Sequence, residues 1–313
     1  MNHVEQLNEY LHQLKAEGKK PGTLKQYASD LKPFASWLDS AGKDLRSVQS
    51  SDIALYVKRL EDSNLQTITV KRHLSAINKW LKFLRVSPIA SSQQEKTHQA
   101  VPLKSGDFIS EKEMQLLITS MRKPGHSPAR DALIARNLAI VHLMRYKGLR
   151  PKELSSITMD MLNLAQSTLF IQQVAYSIPE THARYIREYL SAIEELKRPR
   201  WHSRDPLFVA YNNRSHDYQY DYVNEQPKRL SVRSIQEMIK EEVHLAGLRK
   251  LSAKHLRNSC ILDHVRSGQQ DHEIQLYFHL SHPFSLHRFK KYKEENGLNN
   301  LNEVALGKSS LQR

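Results

Sequence analysis

Gly148-Leu149-Arg150-Pro151-Lys152-Glu153-Leu154 follows the most apolar helical stretch of the chain, and its reading decides the rest. Upstream, Leu133, Ile134, Leu138, Ile140, Val141, Leu143 and Met144 make an apolar stripe wide enough to predict a helix central to a core. Gly148 stops that helix, because glycine enters left-handed backbone without a Cβ penalty. Pro151 is a preferred first residue for the next one. Arg150 is left between a helix end and a helix start, where it can share an anion with free backbone N–H groups. The competing reading is a structural Arg150 paired with Glu153.

Outward from this corner, Ser110 with Glu113 forms a capping box that opens a preceding helix. Leu169-Phe170-Ile171 and Val174-Ala175-Tyr176 predict a small hairpin within 167–178. The polar stretch 198–229 reads as surface loop apart from Leu207-Phe208-Val209. Helices return over 231–247 and from an N-cap at Ser252 to Gly268. The front of the chain reads as four helices: Val4, Leu7, Leu11 and Leu14; Leu24, Tyr27, Leu31, Phe34 and Leu38; Ile53, Tyr56, Val57 and Leu60 after a cap at Ser51; and Val70, Leu74, Ile77, Leu81 and Leu84. In the fourth, Lys71, Arg72, Lys79 and Lys82 project from the side opposite the apolar one. Periodicity fails from Ser87 to Gly106. The expected architecture is mainly α with a small β-sheet (α+β): a helical domain over 1–87, a linker over 88–107, a second domain over 108–296 and a tail over 297–313.

A net charge of +14 with 26% charged residues favours a polyanion, since Lys and Arg neutralise phosphates and release counterions. Double-stranded DNA is the leading partner class, with Lys25, Lys32, Lys71, Arg72, Lys79 and Lys82 as phosphate contacts. No apolar run reaches the roughly 20 residues that span a bilayer, and the polar start lacks a signal-peptide core. The expectation is a cytoplasmic protein without a membrane partner. Cys260, the single cysteine, can form neither an internal disulfide nor a Cys-based zinc site.

The 148–154 segment, then Leu256-Arg257-Asn258-Ser259, then Leu280-Ser281-His282, then Tyr292, together resemble the ordered motif set of the tyrosine recombinase and phage integrase family. The likeness covers nearly the whole chain, including the four-helix front, and leans toward transposon-borne resolvases. It implies a DNA-binding front domain and a catalytic domain that cleaves and rejoins DNA through a 3′-phosphotyrosyl link. It also implies a homo-oligomer, dimeric on a site and tetrameric in synapsis, with Leu301, Val304 and Leu306 of the tail docking onto a neighbouring protomer.

Chemistry explains these residue types. Attack on a phosphodiester develops negative charge on the non-bridging oxygens, and fixed donors aimed at them lower the barrier. Arginine stays charged and forks onto two oxygens, which suits Arg150 and Arg257. Tyr292 is the expected nucleophile; a phenol with an ordinary pKa near 10 requires cations or a base beside it, and Arg288, Lys290 and Lys291 are at hand. The family spacing from His282 lands on Lys291, so one extra residue is accommodated. Tyr277 is the competitor. His282 resembles a hydrogen-bond partner of the phosphate. Lys254 stands where the family usually has histidine; it lies about 60° from Arg257 around a helix, whereas the fallback, His255, lies about 160° away. The family's hairpin lysine, a general acid, is replaced by Gln172-Gln173, whose amides cannot deliver a proton at neutral pH. The resemblance implies no metal and no nucleotide cofactor, because the phosphotyrosyl link keeps the bond energy for religation. Two other readings remain: a DNA-binding protein whose active site has decayed, and a metal-dependent nuclease using His279 and His282.

Overall fold

The computed structural model describes residues 3–84, 102–280 and 284–309, with the side chains of the last helix described up to 296. The chain divides into two compact units, Met1–His98 and Gln99–Arg313.

In the first unit, α1 (His3–Ala16) packs along α2 (Pro21–Ser40), and α4 (Thr67–Phe83) packs against both α2 and α3 (Ser50–Asp62). Leu7, Leu31, Phe34, Leu38, Ile77 and Leu81 form its core, with Tyr56 and Trp80 the largest side chains fully enclosed. The rings of Trp37, Tyr56 and Trp80 surround Phe34 at 5.0 to 6.4 Å. Two expectations are corrected. Val4 is exposed, because Tyr10 takes the inward position on α1. Helix α3 begins at Ser50 rather than after a Ser51 cap, because the Asp52 carboxylate accepts from the Gln49 backbone N–H at 2.9 Å and fixes the entry there.

The second unit begins, among the described residues, with a turn of 3-10 helix at Ser105–Asp107, within the stretch read as linker. Leu103 is buried there, and most of the remaining linker reading lies outside the described residues. Helix α5 (Glu111–Met121) has the expected capping box, with Ser110 N donating to Glu113 at 2.8 Å. After the single turn α6 (Pro128–Asp131) comes α7 (Ile134–Lys147), flanked by α5, by α9 (Glu180–Ser191) and by α11 (Ala253–Arg266). With neighbours on three sides α7 is buried almost all round, so even Arg136, Asn137, His142 and Arg145 are enclosed, and the expected stripe is too narrow a description.

Helix α8 (Pro151–Ser156) leads into a three-stranded antiparallel sheet of β1 (Leu162–Asn163), β2 (Thr168–Ile171) and β3 (Val174–Ser177). Gln172 (φ +46°) and Gln173 (φ +72°) make the two-residue turn between β2 and β3, the backbone that suits a tight hairpin. The expected surface loop over 198–229 is corrected in part. It contains two small antiparallel ribbons, β4 (Tyr211–Asn212) with β5 (Asp217–Tyr218) and β6 (Tyr220–Asp221) with β7 (Gln226–Pro227), and Tyr218 is buried. Tyrosine carries an apolar ring behind a polar tip, which hid this packing in a sequence that reads as polar. Helices α10 (Val232–Leu245), α11, α12 (Asp271–Tyr277) and α13 (Phe284–Ser309) complete the unit. Among the described residues no helix is long and apolar enough to cross a membrane.

Candidate strand-transfer site

The corner after α7 is built as its sequence demands. Gly148 ends the helix at φ +64°, and a Cβ there would lie 2.3 Å from a ring carbon of Phe278, so both backbone and packing select glycine. Arg150 then occupies the N-cap of α8, and its backbone N–H donates to Glu153 Oε2 at 2.6 Å. Its guanidinium, about half exposed, reaches Glu153 Oε1 and the His279 carbonyl, each at 3.4 Å.

Arg257 arrives from α11 on the other side. It donates to the Gly148 carbonyl and to the Phe278 carbonyl, the latter at 2.6 Å, and one terminal nitrogen lies 3.7 Å from Glu153 Oε2. Its side chain is only 11% exposed. Burial, and then the neighbouring charge of Arg150, pull its pKa down to about 10. Two guanidinium groups therefore share one buried carboxylate. The cluster carries a surplus positive charge in a partly desolvated corner, which is the electrostatic preparation for an anion.

The other expected site residues are placed less uniformly. The Lys254 ammonium sits 3.4 Å from Asp107 Oδ1, whereas Arg257 turns toward Gly148 and Phe278, so the two do not reach a common partner. His255 accepts at Nδ1 from the Ser252 backbone N–H at 3.0 Å and caps α11; burial and then the Arg249 charge lower its pKa. Gln172 and Gln173 are exposed at the hairpin tip. His279 has its Nε2 3.4 Å from the Tyr176 hydroxyl. Tyr277 packs between Tyr176, which it meets edge-on, and His264, and burial pushes its phenol well above the ordinary range, which disfavours it as nucleophile. His282 lies outside the described residues, as do the side chains of the tail residues Leu301, Val304 and Leu306. Among the described residues no three metal-ligating side chains gather.

Tyr292 is not beside the arginines. Its ring packs on Phe108 with centroids 4.6 Å apart, and it lines a cavity of about 410 Å³ with Ser259, Leu262, Asp263 and Arg266 of α11. At about 100° per residue those positions project roughly 120 to 180° away from Arg257 around the helix. Tyr292 and the arginine pair thus occupy different faces of α11.

Two family models match the chain: the phage integrase N-terminal SAM-like domain over residues 7–86 and the phage integrase family over residues 107–298. The chain belongs to the phage integrase family, the tyrosine recombinases. Similar proteins include the tyrosine recombinase XerD of Oceanobacillus iheyensis, 24% identical over 85% of this chain and 86% of that protein. The tyrosine recombinase XerC of Lacticaseibacillus casei is 22% identical over 87% of this chain and 92% of its own length. Among solved structures, the XerH site-specific recombinase bound to palindromic difH substrate aligns with a TM-score of 0.63 at 16% identity, over 96% of this chain and 83% of that one. The Tn1549 transposon integrase in complex with transposon right end DNA aligns with a TM-score of 0.61 at 12% identity, over 96% and 100%. These likenesses establish the shared fold.

In the SAM-like unit of this integrase, Lys25 and Lys32 on α2 and Lys71, Arg72, Lys79 and Lys82 on α4 are all exposed. They differ in freedom. Lys79 donates to the Tyr27 hydroxyl at 3.0 Å, and Arg72 is held by the buried Asp30 carboxylate. Sequence reasoning missed Glu153, Asp30, Phe108 and Asp107, the last as the partner of Lys254. Glu153 was weighed only as a partner of Arg150, although Arg-x-x-Glu at a helix start already signals a capping carboxylate. Asp30 and Phe108 gave no local signal, because their partners Arg72 and Tyr292 lie far away along the chain.

Proposed function

We propose that Arg150 and Arg257 clamp the scissile phosphate of a recombination site, with Glu153 fixing both guanidinium groups, and that Tyr292 attacks the phosphorus. The general reaction is that of the family: a tyrosine recombinase cleaves and rejoins DNA site-specifically. The observation that carries the assignment is the pair of arginines converging from α8 and α11 on a single carboxylate, one of them nearly buried. Such a pair presents several N–H donors in fixed directions to the equatorial oxygens of a pentacoordinate phosphorus. Tyr292 must leave the Phe108 face of α11 to reach that phosphate, either by movement of α13 or by delivery from a neighbouring protomer. We assign Lys254, whose ammonium lies 3.4 Å from Asp107, as the proton donor for the leaving 5′ hydroxyl, since the hairpin tip offers only amides. His282 completes the set as a phosphate partner.

Attack replaces the Tyr292 O–H bond by an Oη–phosphorus bond, the phenol proton leaving to solvent, and breaks the phosphorus–5′ oxygen bond, the 5′ oxygen taking a proton from Lys254; religation reverses both steps. The bond energy stays in the phosphotyrosyl link, so no nucleotide need be consumed. We assign Lys25, Lys32, Lys71, Lys79 and Lys82 of α2 and α4 to the DNA backbone, with a dimer on each site and a tetramer in synapsis, acting in the cytoplasm. The solved relatives bound to difH substrate and to transposon end DNA support the DNA assignment.

The test is a suicide duplex, nicked near the scissile phosphate of a site selected by the full chain, incubated with EDTA present. A covalent protein–DNA adduct that is lost in Tyr292→Phe supports the assignment. Tight binding with no adduct from the unaltered chain would leave a DNA-binding protein and remove the cleavage mechanism.

A further inference from the structure

Arg72 differs from the lysines that share its surface. Its Nε donates to Asp30 Oδ1 and Oδ2 at 3.2 and 3.0 Å, and its Nη2 donates to Oδ1 at 3.0 Å. Asp30 is 3% exposed and is held in turn by Gln26 Nε2 at 2.9 Å. The Arg72 side chain is nevertheless 50% exposed, and its Nη1 has no partner among the described residues. It stands at a cleft of about 210 Å³ between α2 and α4, whose other lining residues include Thr23, Gln26 and Ser75.

Two consequences follow. The Asp30 charge neutralises Arg72 locally, so this guanidinium has little of the free charge that makes a cation useful at a phosphate. Its plane, however, is fixed: the Nε edge is occupied by Asp30, which leaves the edge made by Nη1 and the outer hydrogen of Nη2 without a protein partner among the described residues. Two parallel donors on a rigid edge match the O6 and N7 acceptors of guanine in the major groove, and fixing the side chain beforehand lowers the entropy lost on contact. Lys71 and Lys82 lie together about 80 to 100° to one side of it around α4 and have no partner among the described residues. They retain the charge and the reach for phosphates.

We propose that Arg72 is a specificity-determining residue that reads a guanine in the recombination site, with Asp30 as its positioning residue and the neighbouring lysines as the phosphate contacts. This replaces the backbone role assigned to Arg72 from sequence, and it rests on the reading of the α2–α4 surface as a DNA interface.

The experiment selects duplexes from a randomised pool with the full chain, then measures affinity for single-base variants of the selected site over a range of salt. The unaltered protein is expected to show one guanine whose replacement, or substitution by 7-deazaguanine, weakens binding about 10- to 100-fold. In Arg72→Lys, which keeps the charge at an exposed position, that preference disappears while preferences elsewhere and the salt slope stay unchanged. Asp30→Asn blurs the same position only, with a melting curve confirming the fold. If Arg72→Lys leaves the guanine preference intact, or if Arg72→Ala weakens all sequences equally and flattens the salt slope by about 0.9, the guanine reading is wrong while the DNA interface stands. If no duplex is bound, both fall together.

Discussion

The arginine corner and the tyrosine helix lie on opposite faces of α11, and they are built on opposite principles. At the corner every element is held: Gly148 by left-handed backbone and the Phe278 ring, Arg150 by its cap, Arg257 by two carbonyls and a shared carboxylate. Tyr292 packs at the edge of the apolar cluster that contains Phe108, Leu262 and Phe289, beside an open cavity, and its hydroxyl makes no hydrogen bond among the described residues. Under the proposed dimer-to-tetramer assembly, a recombinase that cuts only once assembled would gain from this division. In the mechanism proposed above, the clamping groups are largely placed before the phosphate arrives, while Tyr292 is held away from it.

The largest expected effect breaks the fixed half. Arg257→Lys and Arg150→Lys keep a charge but lose the fork, and each should slow adduct formation about 10²- to 10³-fold, measured as single-turnover trapping on the suicide duplex. Equal loss in both would match a clamp acting through two arms. An unaffected rate in either would remove that arginine from the phosphate.

A smaller effect concerns the helix beneath the corner. His142 on α7 is buried, stacks on His182 with centroids 4.2 Å apart, and has no hydrogen-bond partner for either ring nitrogen among the described residues. Burial first, and then His182 and Arg122, bring its pKa down to about 3. The unfolded chain takes up a proton near pH 6.5 that the folded chain refuses, so this stabilisation is complete above pH 6.5 and is lost as pH falls toward 3. The expected contribution is roughly 3 kcal/mol after allowance for partial solvent access. Melting temperature measured against pH should therefore fall less steeply in His142→Phe than in the unaltered chain; equal slopes would contradict this account of α7.

The two faces of α11 also differ in how far the sequence revealed them. The corner was legible because its pieces are local: a helix stop, a helix start and a carboxylate three residues on. The wide apolar run of α7 and the hairpin were legible for the same reason. The placement of Tyr292 was not, because it depends on Phe108, far away in the chain, and on which face of α11 the last helix covers. Helical spacing brought Lys254 and Arg257 to one side of α11, but spacing carries no information about the Asp107 carboxylate that draws Lys254 aside. In the front unit, the cationic surface of α4 could be read from its period. The neutralisation of Arg72 could not, since Asp30 belongs to another helix.

The central claim, that Tyr292 must cross from the Phe108 face to the arginine pair, is tested most directly by a distance. Spin labels on Lys291→Cys in α13 and Lys152→Cys in α8 occupy exposed positions within the same unit. Cys260 can stay, since burial pushes its thiol up to about 12 and keeps it unreactive. On binding the suicide duplex, the α13–α8 distance within one labelled protomer, diluted in unlabelled chains, is expected to change as the adduct forms, whether the helix swings inward or departs to a neighbour. A full yield of adduct with an unchanged distance would contradict the account.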